Sequence, residues 1–307
     1  MRVPVGRNPA PAAIRGATIA LGVLDGVHRG HQAVLDAAKN AAPDAPLAAA
    51  VFEPHPRCYF QPQAAPFRLQ TPAQRARAVA ACGGEAVFEI PFDQDLAALS
   101  AEAFARAVIV EALGARHVAV GADFRFGHDR AGDAAKLTAL GQALGFGVSI
   151  VEDVMQENTR VSSSLIRARI AQGEATRAAR LLTRPFAIEG AVIQGAQRGR
   201  TINFPTANIA LGDYVRPKFG VYAVRAVIDG AIIAGVANVG VKPTVGAAEP
   251  LLEAHLFDFA GDLYGRTIEI GLIDFIRTER KFDSFEALRA QIEADAQAAR
   301  ARLSVAP

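Results

Sequence analysis

The sequence predicts an α/β domain followed by a small antiparallel β-barrel that ends in a helix. Two observations support this fold class. Between residues 17 and 151, short apolar runs alternate with helical patterns, as in a parallel sheet whose strands are joined by helices. Beyond residue 184, strand-like segments follow one another, and one helical segment closes the chain. We therefore predict a first domain of residues 1–183 and a second domain of residues 184–307.

The composition narrows the class of protein. A chain of 307 residues is long for a single hydrophobic core. Its composition, with 51% hydrophobic and 21% charged residues, is typical of globular proteins. A net charge of +2 argues against a broad nucleic-acid surface. Cys58 and Cys82 are too few and too far apart for a disulfide framework or a metal site. Because we find no secretory signal and no membrane-spanning apolar run, we expect a cytoplasmic protein without membrane or nucleic-acid partners; a weak homo-oligomer is left open.

Local signals place the elements of the first domain. One helix begins at Thr71-Pro72 and ends at Gly83, and another begins at Ser100 and ends before Gly114. Ligands in open α/β sheets bind beyond the carboxyl ends of the strands, so the polar motifs that follow strands are the candidate sites. The strands are predicted at residues 19–23, 47–52, 86–90, 117–120 and 148–151.

The first motif spans residues 18–32, where an apolar strand passes through a glycine turn into a helix. Backbone N–H groups and the positive end of the helix dipole favour a phosphate there. His28 and His31 are three residues apart, so both rings can face the same anion. A surface loop with one satisfied core histidine is the plain alternative, but the pair with three glycines and an aspartate favours a nucleotide. The candidate residues are Gly22, Asp25, Gly26, His28, Gly30 and His31.

The second motif, residues 52–56, holds Glu53 and His55 in a loop with two prolines at the edge of the sheet. Proline restricts the backbone, so this loop keeps one conformation and presents both polar side chains. Taken alone, a rigid surface turn explains the motif as well as a binding loop does.

In the third motif, residues 120–127, polar and aromatic residues alternate after a strand. The alternation allows Phe124 and Phe126 to line a pocket while Asp123 or Arg125 contacts a ligand. An amphipathic hairpin is the alternative interpretation of the same pattern.

The fourth motif, residues 161–167, ends a loop and opens a helix. Hydroxyl and N–H groups at a helix start suit phosphate, and Arg167 adds a permanent cation that can bind phosphate through two hydrogen bonds. An ordinary serine N-cap is the alternative for Ser163 and Ser164. The phosphate-type domain that precedes them lowers the weight of that alternative.

After a helix over residues 175–182, the second domain is predicted to be built from strands and one final helix. Asp229-Gly230 is a strong hairpin signal between two of the strands, and the helix begins near Ser284. The strands are predicted at residues 188–193, 220–228, 232–239, 252–259 and 267–275.

The chemistry of the second domain is centred on residues 195–208. If the segment around Thr206 and Asn208 is extended, both side chains lie on one face and can serve a Mg²⁺–nucleotide complex. Gly195 and Gly199 allow backbone N–H groups to approach phosphates. A polar turn in which Asn208 satisfies the backbone is the alternative.

In order along the chain, the four motifs of the first domain resemble the adenylyltransferase half of bacterial FAD synthetases. Phe204-Pro-Thr-Ala-Asn208 resembles the signature of their riboflavin kinase half, and similar segments follow at residues 220–224, 235–244, 252–255, 262–265 and 277–282. The resemblance implies a Rossmann-like nucleotidyltransferase domain and a kinase barrel. It also implies two reactions, riboflavin to FMN and FMN to FAD, with ATP as substrate and Mg²⁺ as cofactor.

The resemblance further implies the roles of individual residues. In adenylyl transfer, the FMN phosphate attacks the α-phosphorus of ATP directly and pyrophosphate leaves. The residues implied to serve ATP in that step are His28, His31, Asp123, Ser163, Ser164 and Arg167, and those at the flavin are Glu53, His55, Phe124 and Arg125. In the kinase, the implied residues are Glu253 as general base, Thr206 and Asn208 for Mg²⁺ and phosphate, and Arg277, Glu279 and Phe282 for the flavin.

The chain departs from the family pattern at a few positions. Val23-Leu24 stands where many relatives have Asn-Phe, Ser164 where they have Thr, and Asn203 where they have Gly. One alternative is therefore a kinase joined to a weakened adenylyltransferase. Another is a flavin-binding module without catalysis, against which the joint presence of Thr206, Asn208 and Glu253 counts.

Overall fold

The computed structural model describes residues 1–4, 11–194, 204–241 and 249–305. Their contacts divide the chain into two compact units. The first unit comprises Met1–Ala65 and Pro72–Ser162, and the second comprises Pro66–Thr71 and Ser163–Pro307. The chain therefore leaves the first unit after Ala65 and returns to it at Pro72.

The first unit contains a six-stranded parallel sheet and two short antiparallel hairpins. Its strands are β1 (Arg2–Pro4), β2 (Thr18–Leu21), β3 (Leu47–Glu53), β4 (Ala86–Pro91), β5 (His117–Gly121), β6 (Arg125–Phe126), β7 (Gly132–Asp133), β8 (Gly147–Val151), β9 (Met155–Gln156) and β10 (Thr159–Arg160). The sheet order is β1-β4-β3-β2-β5-β8, and the hairpins are β6-β7 and β9-β10. The helices are α1 (Arg29–Ala41), α2 (Pro56–Phe60), α3 (Pro72–Ala81), α4 (Gln94–Ala97), α5 (Ala101–Phe104) with a π-helical continuation (Ala105–Ala112), and α6 (Ala134–Leu144).

Helices cover the central strands on both faces, which explains their continuous apolar sequence. All four residues of β2 are buried. Because successive side chains point to opposite faces, Ile19 and Leu21 enter one core cluster and Ala20 enters the other. The predicted parallel α/β domain is therefore confirmed.

The ends of two elements differ from the sequence prediction. Strand β2 ends at Leu21 and not at residue 23, although the N–H of Gly22 still donates to the carbonyl of Ala50 at 3.0 Å. Helix α1 begins at Arg29, two residues before His31. The edge strand β1 was missed because a three-residue strand carries no readable periodicity. Its Arg2 forms two hydrogen bonds with Glu89 of β4, at 2.8 and 2.9 Å.

The second unit begins with two helices and continues as an antiparallel sheet. Its elements are α7 (Ser163–Ala171), α8 (Ala175–Leu182), β11 (Phe186–Ala191), β12 (Ala207–Ala210), β13 (Gly220–Ile228), β14 (Ala231–Val241), β15 (Pro250–Leu256), β16 (Thr267–Arg277) and α9 (Phe285–Val305). The strand order is β11-β16-β13-β14-β15-β12. The N–H of Ile193, just after β11, donates to the carbonyl of Asn208 in β12 at 2.9 Å, so the first and last strands meet and nearly close a barrel.

Turn and cap signals of the second unit are confirmed. Asp229 (φ 50°) and Gly230 (φ 82°) form the left-handed turn between β13 and β14. The hydroxyl of Ser284 accepts the N–H of Ala287 at 3.1 Å where α9 begins. The strand predicted to reach residue 259 ends at Leu256, because Asp258 (φ 58°) turns the chain. Within the described residues, no helix is both long enough and apolar enough to cross a membrane.

The start of β13 predicts a sharp difference between two glycine substitutions. At Gly220 (φ 146°), an added Cβ would lie 2.2 Å from the carbonyl oxygen of Arg277, whereas at Gly212 (φ 47°) it would meet nothing within 4 Å. We expect G220A to lower the free energy of unfolding by more than about 2 kcal/mol, and G212A by about 1 kcal/mol. Urea unfolding followed by circular dichroism measures both values. Equal losses would contradict the steric explanation.

Candidate active sites

The turn between β2 and α1 brings two histidine rings together at the start of the helix. His28 is the N-cap of α1, and its Nδ1 accepts the backbone N–H of His31 at 3.4 Å. The two rings stack with centroids 3.6 Å apart and planes 19° apart. Gly30 allows this arrangement, since a Cβ there would approach Cε1 of His28 to 3.1 Å. The pair thus lies at the positive end of the helix dipole, where anions bind.

An unusual backbone holds this turn in place. Gly26 (φ 97°) takes a left-handed conformation, and so do the non-glycine residues Leu24 (φ 50°) and Val27 (φ 38°). Such residues cost conformational energy and persist only where the surroundings fix them. Leu24 and Val27 are almost fully buried in the core on one face of the sheet, while Val23 packs against the core on the other face. The Val23-Leu24 departure from the family pattern therefore serves packing.

The second motif places its two polar side chains at the end of β3 and the start of α2. Glu53 forms an ion pair with the buried Arg75 at 2.8 Å, and Arg75 also lies 3.8 Å from Glu89. His55 is the N-cap of α2, where its Nδ1 accepts the N–H of Arg57 at 3.0 Å. Both side chains lie at the edge of the sheet, as predicted, and both also have partners within the protein.

The third motif forms the β6-β7 hairpin that was the alternative interpretation. Arg125 pairs with Asp133 at 3.4 Å, and Asp123 pairs with Arg160. The ring of Phe124 stacks on Phe126, with centroids 5.6 Å apart, and packs against the core. Both ion pairs lie at an exposed surface.

A cluster of aromatic rings in the same unit was not among the predicted site residues. Tyr59, Phe60 and Phe92 lie with ring centroids 5.1 to 5.7 Å apart. Tyr59 is 40% and Phe60 66% exposed. Tyr59 and Phe60 follow the carboxyl end of β3, and Phe92 follows the carboxyl end of the neighbouring strand β4. The signal visible in the sequence was the aromatic pair Tyr59-Phe60, which follows the Pro-His-Pro loop after two intervening residues.

The fourth motif opens α7, and from Ser163 onward it belongs to the second unit. Ser163 and Ser164 are in its first turn. Nε of Arg167 donates to the carbonyl of Phe67 at 2.7 Å, and its guanidinium carbon lies 5.4 Å from the centroid of the Phe67 ring. The arginine therefore has a defined orientation before any ligand binds.

The barrel contains a cavity of about 880 Å³ between strands β12 to β15 and helix α9. The cavity brings together predicted site residues from three separate segments of the sequence. They are Thr206, Asn208, Glu253, Arg277, Glu279 and Phe282. Gly195, Gly199 and Asn203 lie outside the described residues.

Strand register places three polar residues side by side on the cavity wall. Glu253 is opposite Asn208 across β12-β15 and opposite Asn238 across β14-β15. Asn238 also donates to Glu279 at 3.1 Å. Asn238 was not among the predicted site residues, although a polar residue within the apolar run of β14 was a visible signal.

The oxygen atoms beside Glu253 fit a metal–nucleotide complex. Asn208 is 3% exposed, and its Oδ1 has no hydrogen-bond partner among the described residues. A buried acceptor without a partner is costly unless a ligand satisfies it. Thr206 adds a hydroxyl to the same wall. Among the described residues, no three His, Cys, Asp or Glu side chains cluster as metal ligands.

A buried ion pair fixes the wall formed by α9. Arg277 at the end of β16 donates to Asp295 at 2.6, 2.9 and 3.2 Å, and Asp295 is only 5% exposed. Gln291 donates to the same carboxylate at 2.8 Å. The ring of Phe282 lies 5.9 Å from the Arg277 guanidinium and 4.7 Å from that of Arg280.

Two family models match the chain, FAD synthetase over residues 10–165 and riboflavin kinase over residues 182–303. The bifunctional riboflavin kinase/FMN adenylyltransferase of Pseudomonas fluorescens is 43% identical over 94% of this chain and 93% of its own length. The protein of that name from Escherichia coli (strain K12) is 40% identical over 95% of both chains. Both matches thus extend over nearly the whole of each protein.

One solved structure shows the same fold along the chain. A crystal structure described as a macrolide-efflux protein from Streptococcus pneumoniae has a TM-score of 0.86 and 32% identity, and the match covers 97% of this chain and 98% of that one. The words "macrolide-efflux protein" describe the Streptococcus pneumoniae protein and are not applied to this chain. The likeness confirms the predicted combination of a parallel α/β sheet and an antiparallel barrel.

The Arg277–Asp295 pair predicts a stability difference between two arginine substitutions. R277M leaves a buried carboxylate without its cation, so we expect a loss of about 3 kcal/mol in unfolding free energy. The matched control is R289M, which breaks the exposed Arg289–Glu293 pair (3.1 Å) on α9 and should cost less than about 0.5 kcal/mol. Urea unfolding measures both variants. If R277M is as stable as R289M, the pair does not anchor α9.

Proposed function

The chain belongs to the family of bifunctional riboflavin kinases/FMN adenylyltransferases, and we propose that the sites described above carry its two reactions. The protein phosphorylates riboflavin to FMN with ATP, and it transfers the adenylyl group of ATP to FMN to give FAD and pyrophosphate. Both halves of the family pattern are present, which argues against a passive flavin carrier.

We assign adenylyl transfer to residues 1–183 and riboflavin phosphorylation to residues 184–307. The two family models support this division, because they match residues 10–165 and 182–303. The division by function differs from the division by contacts, which assigns Ser163–Pro307 to the second unit. Helices α7 and α8 thus belong to the adenylyltransferase half by the proposed function, but to the second unit by their contacts.

For the kinase, the observation that carries the proposal is the register that places Glu253 beside Asn208 inside the cavity. In the proposed step, the 5′-hydroxyl oxygen of riboflavin bonds to the γ-phosphorus of ATP while the bond from that phosphorus to the bridging oxygen breaks. The hydroxyl proton passes to the Glu253 carboxylate, and ADP leaves. A carboxylate in a partly closed cavity can hold that hydroxyl in line with the phosphate.

Thr206 and Asn208 are the residues proposed to hold Mg²⁺ with the ATP phosphates. The buried Oδ1 of Asn208 supports this role, because a cation or a water on the cation would satisfy it. When bound, the ion neutralises charge on the transferring phosphoryl group. Gly195 and Gly199 are proposed to bring backbone N–H groups to the same phosphates.

The flavin side of the kinase cavity is proposed to include Arg277, Glu279 and Phe282. Phe282 offers a ring face on which the flavin ring system can stack. The guanidinium groups of Arg277 and Arg280 lie near the Phe282 ring and keep the Phe282 side chain in place. Glu279, held by Asn238, offers a carboxylate to polar groups of the substrate. The size of the cavity supports the assignment, since small-molecule sites usually measure about 300 to 1,000 Å³.

For adenylyl transfer, the stacked pair His28 and His31 carries the proposal. A neutral His28 that accepts at Nδ1 carries its proton on Nε2 and can donate it to a phosphate oxygen. In the proposed step, an FMN phosphate oxygen bonds to the α-phosphorus while the bond to the β-phosphate bridging oxygen breaks. No covalent enzyme intermediate forms, and catalysis comes from alignment and from stabilising the leaving pyrophosphate.

The remaining residues of the first four motifs complete the proposed adenylyltransferase assignment. The proposed ATP contacts beyond the histidines are Gly22, Asp25, Gly26, Gly30, Asp123, Ser163, Ser164 and Arg167, and the proposed flavin contacts are Glu53, His55, Phe124 and Arg125. The exposed rings of Tyr59 and Phe60 add a surface on which a flavin ring could stack.

Glu253 is tested by a change that keeps its shape and removes its charge. We expect E253Q to lower the rate of FMN formation from riboflavin at least 100-fold, because a general base contributes about 10²- to 10⁴-fold. FAD formation from added FMN should stay unchanged. Chromatography of the flavin products measures both. The control is E286Q at the exposed start of α9, and an E253Q enzyme that phosphorylates riboflavin normally would remove Glu253 from this role.

The histidine pair is tested by the converse experiment. We expect H31A to lower FAD formation from FMN at least 100-fold, because loss of one preorganised contact to developing charge typically costs about 10²- to 10³-fold. Riboflavin phosphorylation should continue. The control is H128A, whose exposed ring pairs with Asp129 at 3.3 Å in the same unit. Loss of both activities in a folded H31A protein would contradict two separate sites.

A further inference from the structure

Residues Pro66–Thr71 belong to the second unit, although the residues on either side of them belong to the first. We call this segment the strap. The N–H of Arg68 donates to the carbonyl of Asp213 at 2.9 Å, and the carbonyl of Arg68 accepts the N–H of Val215 at 2.9 Å. The strap thus forms a short parallel bridge with the chain that follows β12.

Side chains attach the strap at two further points. Oε1 of Gln70 accepts from Nη2 of Arg184 at 3.0 Å, and Gln70 is only 3% exposed. The hydroxyl of Thr71 donates to Oε1 of Glu189 on β11 at 3.0 Å. Buried polar groups with satisfied hydrogen bonds specify one position of a segment, so the strap has a fixed place in the barrel unit.

Phe67 in this strap is the residue that contacts Arg167. Its carbonyl accepts from Nε of Arg167 at 2.7 Å, and the guanidinium carbon lies 5.4 Å from the centroid of its ring. Phe67 is 7% exposed, so its ring cannot follow a mobile arginine. A carbonyl at Nε and a ring near the cation together restrict the guanidinium to few orientations.

We propose that Phe67 is a positioning residue for adenylyl transfer, which acts by holding the guanidinium of Arg167 ready for phosphate. This inference rests on the proposed role of Arg167 in ATP binding. An unrestrained arginine loses much side-chain freedom when it binds a ligand, whereas one that is already ordered loses less. The strap therefore supplies part of the order that the bound triphosphate would otherwise have to impose.

The test compares two substitutions of Phe67 in the full-length protein. F67L removes the ring and keeps the backbone carbonyl, while F67Y keeps both. With FMN and ATP as substrates, we expect the KM for ATP to rise about threefold to tenfold in F67L and to return close to the original value in F67Y. Riboflavin phosphorylation by the same preparations should be unchanged, and it reports that the barrel unit is folded.

A double-mutant cycle shows whether Phe67 acts through Arg167. R167M should impair FAD formation, and F67L should cause no further rise in the KM for ATP in the R167M background. An equal rise in both backgrounds, or an unchanged KM in F67L when R167M is impaired, overturns the role of Phe67. Full FAD formation by R167M is a different result, because it overturns the proposed role of Arg167 and the inference that depends on it.

A second variant keeps the test valid if F67L fails to fold. T71V removes the hydroxyl that attaches the strap to Glu189 and preserves the shape of the side chain. We expect T71V to raise the KM for ATP about twofold to threefold, and this rise should also disappear in the R167M background. A T71V enzyme with the original KM for ATP shows that the strap does not position Arg167.

Discussion

Alternation of side chains along extended strands is the constraint on which both candidate sites depend. In β2, alternation distributes Ile19 and Ala20 to opposite cores, which fixes the strand and the turn that carries the histidine pair. In the barrel, the same rule with antiparallel register places Asn208, Asn238 and Glu253 on one wall. A slip of one residue in either sheet would turn these side chains to the wrong face.

Local patterns were readable from the sequence, and contacts between distant segments were not. The spacing of His28 and His31 predicted a shared helix start, and Asp229-Gly230 predicted its hairpin, because neighbouring residues decide both. The partner of Glu53 is Arg75 on α3, which lies 22 residues further along the chain, and no sequence pattern connects them. Asn238 lines the kinase cavity because the register of β14 and β15 places it opposite Glu253. Resemblance to a family supplied most site residues, whereas residue chemistry alone left alternatives open.

Both candidate sites combine groups that folding alone does not favour. The turn after β2 keeps Leu24 and Val27 in left-handed conformations, and the barrel keeps the side-chain Oδ1 of Asn208 buried without a hydrogen-bond partner among the described residues. Apolar packing around the turn and the Arg277–Asp295 pair beside the cavity offset such costs. Backbone strain and a buried polar atom thus occur beside well-packed parts of both units.

The position of α8 has a consequence for anyone who divides the chain into fragments. Leu181 and Leu182 are buried, and α8 packs on β11 and β16 of the barrel. A fragment that begins at residue 184 would expose the apolar surface that α8 covers. A cut before Ser163 keeps α8 but separates the strap from the barrel unit. No single cut of the backbone therefore leaves both units with all of their residues.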